Sequence, residues 1–249
     1  MWEIFLTGNF LSVDGEIKNK YILCEISRKE TLNMENLEII FKEAQTCKKC
    51  SSIPSDVIYR KHEIHPVPWF VKNFVGERVK IIFVLQSAGT AIGGAARTGK
   101  LSDVTNFDQT AKNAMKLREL ANIADSDCFF TNSILHAAIT EEGKMRNPTE
   151  DEIIECSPFL KRIIDSLNPW IVAPVGNAAL KALNIIEPHP FEKITSCAGK
   201  EFNWYDRIAF PLVHWSPKGL INRNWNLQVR DFKLLRTTLD RILSRISFQ

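Results

Sequence analysis

The chain has 249 residues, 45% hydrophobic and 24% charged, with a formal net charge of +3. This balance excludes a disordered or fibrous chain, and the length suits one α/β domain or two small ones. No apolar run reaches the roughly 18–20 residues that span a bilayer, and no basic stretch followed by a long apolar one opens the chain, so no membrane partner is expected and the protein is read as cytoplasmic.

Residues 1–30 alternate loosely around Asp14-Gly15, which predicts a small hairpin added ahead of a single domain over 31–249. Leu37, Ile39, Ile40, Phe41 and Ala44 predict a helix over 33–45 that runs into Cys47-Lys48-Lys49-Cys50. Residues 79–85 form a continuous apolar run, as in a strand buried on both faces. A Gly-rich loop follows over 87–99. Residues 107–123 read as a helix with Ala111, Ala114, Met115, Leu117 and Leu120 inward, and 128–135 as a second buried strand. Thr149 caps a helix that runs to Leu167, with Glu152 completing a capping box. A third strand (170–175), a short helix (176–183), a fourth strand (208–213) and a final helix (226–247) complete the chain. Alternating strands and helices predict an α/β fold, a three-layer αβα arrangement around a mostly parallel four-stranded sheet.

In such sheets ligands bind beyond the carboxyl ends of the strands, which points at residues 86–99, 132–136, 176–177 and 214–224. The backbone of Ser87, Ala88 and Gly89 and the amide of Gln86 suit a polar ligand. Asn132 carries both donor and acceptor, enough to read the amide edge of a base. His214 is placed to donate to a developing anion. Each has a plainer reading: a turn residue, a structural histidine, a tight loop. From Lys218 to Gln249 the chain is +5 and the rest −2. That is compatible with nucleic-acid phosphates, although charge alone favours a solvated helix face.

The order and spacing of these pieces resemble the uracil-DNA glycosylase superfamily, nearest to its metal-cluster-bearing family 4, over roughly residues 40–245. The stretch from Arg146 to Leu180 is the most specific, and Thr131-Asn132-Ser133-Ile134-Leu135, Ile194 to Lys200 and Phe210-Pro211-Leu212-Val213-His214 follow the family's other motifs. The resemblance implies a DNA glycosylase that flips a nucleotide out of the duplex and hydrolyses its N-glycosidic bond. It implies Asn132 as the base-reading residue, Phe107 as the residue that stacks on the base, and His214 as stabiliser of the departing anion. Leu220, Ile221 and Arg223 would enter the duplex gap, and Lys218 would contact phosphate.

The departures are informative. The family's first motif, Gly-Glu-Ala-Pro-Gly, here reads Leu85-Gln86-Ser87-Ala88-Gly89, so the carboxylate is replaced by Gln86. Asp103 and Asp108 are the substitutes for a water-activating base. A reaction with weakly activated water and a dead site are the other readings. The loop from Gln86 to Phe107 spans 21 positions, longer than the family's, and is rich in Gly and Ala. It either makes room for a bulky base or has only drifted in length. The first favours a modified pyrimidine such as glucosylated hydroxymethylcytosine in phage DNA, excised in antiphage defence as by some members of the superfamily. The alternatives are uracil excision in repair and a catalytically inactive DNA-binding module. A monomer acting on DNA is expected.

Six cysteines are too few for a disulfide scaffold in a chain this long. The resemblance places Cys47, Cys50 and Cys156 at cluster-ligand positions, with His136 where the family has a fourth Cys. Three thiolates and an imidazole suit structural Zn²⁺; a [4Fe–4S] cluster with one His ligand is the alternative, and a vestigial site the plainest one.

Overall fold

The computed structural model describes residues 36–71 and 78–246; the hairpin expected over 1–30 lies outside them. Helix α1 covers 36–46 and buries Leu37, Ile40, Phe41 and Ala44, the i, i+3, i+4, i+7 stripe of an amphipathic helix. After α2 (Asp56–Lys61) come β1 (Trp69–Phe70), β2 (Ile81–Leu85), α3 (Ala95–Thr98), β3 (Lys100–Leu101) and α4 (Gln109–Leu120). The second half runs β4 (Cys128–Asn132), α5 (Glu150–Leu167), β5 (Ile171–Pro174), α6 (Asn177–Ile186), α7 (Ile194–Cys197), β6 (Phe202–Trp204), β7 (Arg207–Ala209), α8 (Pro217–Asn222) and α9 (Trp225–Ile246).

The main sheet has the order β4-β2-β5-β7-β6, parallel except for β6, which pairs antiparallel with β7. It therefore has five strands, which corrects the expected four. The extra strand is the outer arm of a hairpin whose two turn residues, Tyr205 and Asp206, both have positive φ (48° and 54°), as a two-residue turn matched to the strand twist requires. The fourth expected strand is also shorter than 208–213. Pro211 has no N–H to give a ladder, and beyond β7 the pairing with β5 continues through Phe210 N–H to the Val172 carbonyl, Leu212 N–H to the Pro174 carbonyl and Gly176 N–H to the Leu212 carbonyl, with a bridge between Val175 and Leu212.

Side chains alternate across β2 and sort the layers. Ile82 and Val84, with Phe129 and Val172, face α1, α5 and α6. Ile81 and Phe83, with Phe130, Ile171 and Ala173, face α4 and α9. The αβα arrangement is thus present. Each fully buried Val, Ile or Phe side chain among these contributes about 1.5–3 kcal/mol of transfer free energy. Phe83 stacks on Phe130 (5.1 Å) and meets Trp215 edge-on (5.7 Å), and Trp215 in turn meets Phe232 of α9 (5.7 Å). Because Trp215 follows His214, this aromatic cluster anchors the histidine loop to the core. The capping box on α5 is formed as expected: Thr149 Oγ1 accepts from Glu152 N–H (3.2 Å) and Glu152 Oε2 from Thr149 N–H (2.7 Å).

Candidate active site

A cavity of about 960 Å³ opens at the carboxyl ends of β2, β4, β5 and β7. It gathers Gln86, Ser87, Ala88, Gly89, Asp103, Asp108, Asn132, His214 and Lys218. Phe107, Leu220, Ile221 and Arg223 do not line it.

His214 is set by its own loop. Its Nδ1 accepts the Ser216 N–H (3.1 Å), so in the neutral ring the proton resides on Nε2. Burial holds the imidazole down, to about 4, against the pull of the Asp108 carboxylate. Ser216 caps α8 by accepting the Gly219 N–H, and Asn113 of α4 donates to the Trp215 carbonyl (2.6 Å). Gly219 permits the close approach of α8: a Cβ there would lie 1.6 Å from the His214 carbonyl oxygen.

Asp108 caps α4, its Oδ1 accepting the Ala111 N–H (2.7 Å). Its Oδ2 lies over the glycine loop, 2.9 Å from where a Cβ on Gly94 would be; the same Cβ would meet the Gly89 carbonyl oxygen at 2.7 Å. The small residues of this loop thus serve its own packing, with Ala88, Ala95 and Ala96 buried. The loop is also structured: it carries α3, and its β3 pairs in parallel with β1. Asn132 ends β4 opposite Leu85, and its Nδ2 is buried without a partner. Ser133 ties the two strand ends together, donating Oγ–H to the Gln86 carbonyl (2.6 Å) and N–H to that of Leu85 (2.7 Å). Gln86 donates its amide to the Arg146 carbonyl and to Asn147 Oδ1, both at a long 3.4 Å.

Asp103 is committed differently. Its Oδ2 accepts from Arg118 Nε (2.7 Å) and lies 2.6 Å from the second guanidinium nitrogen, and both residues are buried. Burial opposes the Arg118 charge, and the Asp103 carboxylate more than offsets this, holding the guanidinium above its ordinary value. Sequence reasoning missed Arg118. Its signal was a charged residue at the helical spacing of the buried Ala111, Ala114 and Ala121. Phe130, on β4, also lines the cavity and was not singled out.

The remaining expected contacts sit at the rim. Phe107 is 71% and Ile221 85% exposed, and Leu220 is half-buried. Arg223 forms a bidentate ion pair with the buried Asp231, so its charge is already used. Arg236 and Arg241 pair with Asp240 and Glu201, so much of the C-terminal basic character serves the fold.

Away from the cavity, three thiols converge. Cys50 and Cys156 lie against one another and Cys47 acts on both. Burial pushes Cys50 up to about 11 and Cys156 up to about 12. His136, buried, has an Nδ1 without a partner, and burial lowers its pKa. Among the described residues no group of three or more Cys, His, Asp or Glu stands in metal-holding geometry. The donor types nevertheless fit: the thiols of Cys47, Cys50 and Cys156 and the orphaned imidazole nitrogen of His136 are the kinds of ligand a thiolate–imidazole centre takes. No helix of the described residues is long and apolar enough to cross a membrane.

Comparison with known proteins agrees with this geometry. Residues 78–239 match the family model for the uracil DNA glycosylase superfamily. The chain is 29% identical over 215 residues (82% of this chain, 84% of the relative) to the type-4 uracil-DNA glycosylase of Sulfurisphaera tokodaii. It is 27% identical over 192 residues (73% and 76%) to that of Saccharolobus solfataricus. It is also 27% identical over 143 residues, 57% of this chain and 14% of the relative, to a DNA polymerase of Bacillus phage SP01. With its family model covering well over half its length and its strand-end residues gathered in one cavity, the chain belongs to the uracil DNA glycosylase superfamily.

Proposed function

We propose that the chain is a cytoplasmic, monomeric DNA glycosylase that hydrolyses the N-glycosidic bond of a flipped-out, bulky modified pyrimidine, such as glucosylated hydroxymethylcytosine in phage DNA. The observation that carries the chemistry is a neutral His214, its Nε2 bearing the proton, sharing one cavity with the Asp108 carboxylate and Asn132.

The C1′–N1 bond breaks with its electron pair passing to the base. His214 Nε2–H donates to the base oxygen that gathers this charge, a donor already oriented by the Ser216 N–H contact to Nδ1. Asn132 reads the base edge. Water attacks C1′ and gives its proton to Asp108, which replaces the missing carboxylate of the first motif; that proton then returns to the base anion. Gln86 and the Ser87–Gly89 backbone hold the sugar or the water. Phe107 stacks on the base at the cavity mouth, Leu220 and Ile221 fill the duplex gap, and Lys218 meets phosphate. Arg223 acts from its ion pair, holding the loop in place.

The cavity volume, about 960 Å³, supports the bulky base, since it stands at the upper end of the range of about 300–1,000 Å³ for small-molecule sites. Uracil excision is the second reading, favoured by the names of the two type-4 relatives. Cys47, Cys50, Cys156 and His136 would hold a structural metal, Zn²⁺ or a [4Fe–4S] cluster, pinning α5 and the residues after β4 beside the cavity; when bound it supplies cross-linking, not chemistry.

The test is alkali cleavage of labelled duplexes carrying uracil, hydroxymethylcytosine or its glucosylated form, with wild type and His214→Ala. The reading requires cleavage at a modified cytosine that collapses in the variant. Cleavage of uracil duplex alone selects the second reading, and cleavage of none refutes both.

A further inference from the structure

Asp103 keeps one carboxylate oxygen in reserve. Its Oδ2 carries the whole Arg118 contact, while Oδ1 is buried without a hydrogen-bond partner. The residue is 3% exposed and lines the same cavity as Asn132 and His214. Arg118 is itself fixed, its guanidinium 5.9 Å from the centre of the Phe130 ring, so the carboxylate cannot rotate freely to satisfy Oδ1. Ser87 Oγ, Thr131 Oγ1 and Asn132 Nδ2 are also buried, unpartnered and on this cavity. Burial raises the pKa of Asp103, and the Arg118 charge and hydrogen bond oppose that rise and favour the carboxylate; hydroxyls adapt as donor or acceptor, but an ionised carboxylate only accepts. A buried acceptor left unpaired is costly, so a ligand group that reached Oδ1 with a donor would relieve that cost.

Bases differ in this respect. Uracil has one ring N–H donor, flanked by carbonyl oxygens that an anionic acceptor repels. Cytosine adds an exocyclic amine. Hydroxymethyl or sugar substituents add hydroxyls. We propose that Asp103, oriented by Arg118, is a specificity-determining residue that accepts a hydrogen bond from an amino or hydroxyl group of the flipped base or its substituent and thereby disfavours plain uracil. This rests on the glycosylase reading of the same cavity.

The experiment measures binding, so that it stands apart from turnover. In the His214→Ala background, anisotropy titrations compare duplexes carrying uracil, 5-hydroxymethyluracil, cytosine, 5-hydroxymethylcytosine and its glucosylated form. Cytosine separates the amine from the hydroxyl, and 5-hydroxymethyluracil does the reverse. At least one donor-bearing base binds 10-fold or more tighter than uracil. Adding Asp103→Asn brings that ratio below 2 or inverts it, because the amide oxygen turns to Arg118 and the NH₂ then faces the cavity. If Asp103→Asn does not fold, Arg118→Gln keeps the carboxylate but loosens its orientation, and the ratio still narrows by at least 3-fold. Uracil bound as tightly as every donor-bearing base, or a ratio indifferent to the folded substitution, overturns the proposal. A preserved, Asp103-dependent preference in a wild-type protein that releases no base overturns the glycosylase reading and leaves this one standing. Absence of DNA binding overturns both.

Discussion

Replacing His214 by Gln tests the burial of its neutral ring through the pH dependence of folding. The imidazole sits at about 4 in the folded protein against an ordinary value of 6.5. Above pH 6.5 the ring is neutral in both states and adds no pH dependence. Between 6.5 and 4 the unfolded chain takes up a proton that the folded protein refuses, so stability falls as pH falls, and below about 4 the loss is complete. At 1.36 kcal/mol per pH unit, the full drop corresponds to about 3 kcal/mol, an upper value because the ring opens on a cavity that admits water. The assay is urea unfolding of wild type and His214→Gln at pH 7, 6, 5 and 4. The wild type should lose about 2–3 kcal/mol more than the variant across that range, with other titrating groups such as His136 cancelling in the comparison. Parallel curves would refute the claim that His214 is held neutral, and with it the assignment of a standing Nε2–H donor.

Other substitutions probe the same framework. Gly219→Ala should leave a folded protein with base-release activity lowered on the order of 100-fold, because the displaced α8 moves the His214 carbonyl and misplaces the ring; a single-turnover rate within threefold of wild type would contradict this. Thr149→Ala removes the oxygen that accepts the Glu152 N–H and should cost about 1 kcal/mol in urea unfolding, with little change in activity. Cys156→Ser should lower both the bound metal per chain, measured by elemental analysis of the purified protein, and the melting temperature. A wild-type protein without metal, or one whose melting temperature does not respond to chelation, would count against a structural centre.

The parallel strands were legible because burial on both faces leaves an uninterrupted apolar run, as in Ile81–Leu85. The capping box of α5 was legible because its chemistry is local, set by Thr149 and Glu152 alone. The hairpin strand β6 was not: it has three residues, and its turn uses Tyr205 and Asp206 where Asn or Gly would have signalled positive φ. The strand-end rule located Asn132 and His214, since topology carries every such residue to one edge of the sheet. It was silent on side-chain partners. That Arg223 is held by Asp231, that Asp103 is held by Arg118, and that the glycine loop packs on Asp108 depend on how the turns between neighbouring elements aim side chains at one another, which no local periodicity encodes. Their spacing in the sequence carries no sign of that.

The most direct measurement is single-turnover base release from a duplex carrying glucosylated hydroxymethylcytosine, with mass spectrometry of both the freed base and the strand, for wild type and His214→Ala. The account predicts a free modified base and an intact strand with an abasic site. It also predicts a rate about 10²–10³ lower in the variant, the loss typical of removing one preorganised donor. An unchanged rate in His214→Ala, or a strand recovered covalently attached to Lys218, would contradict it.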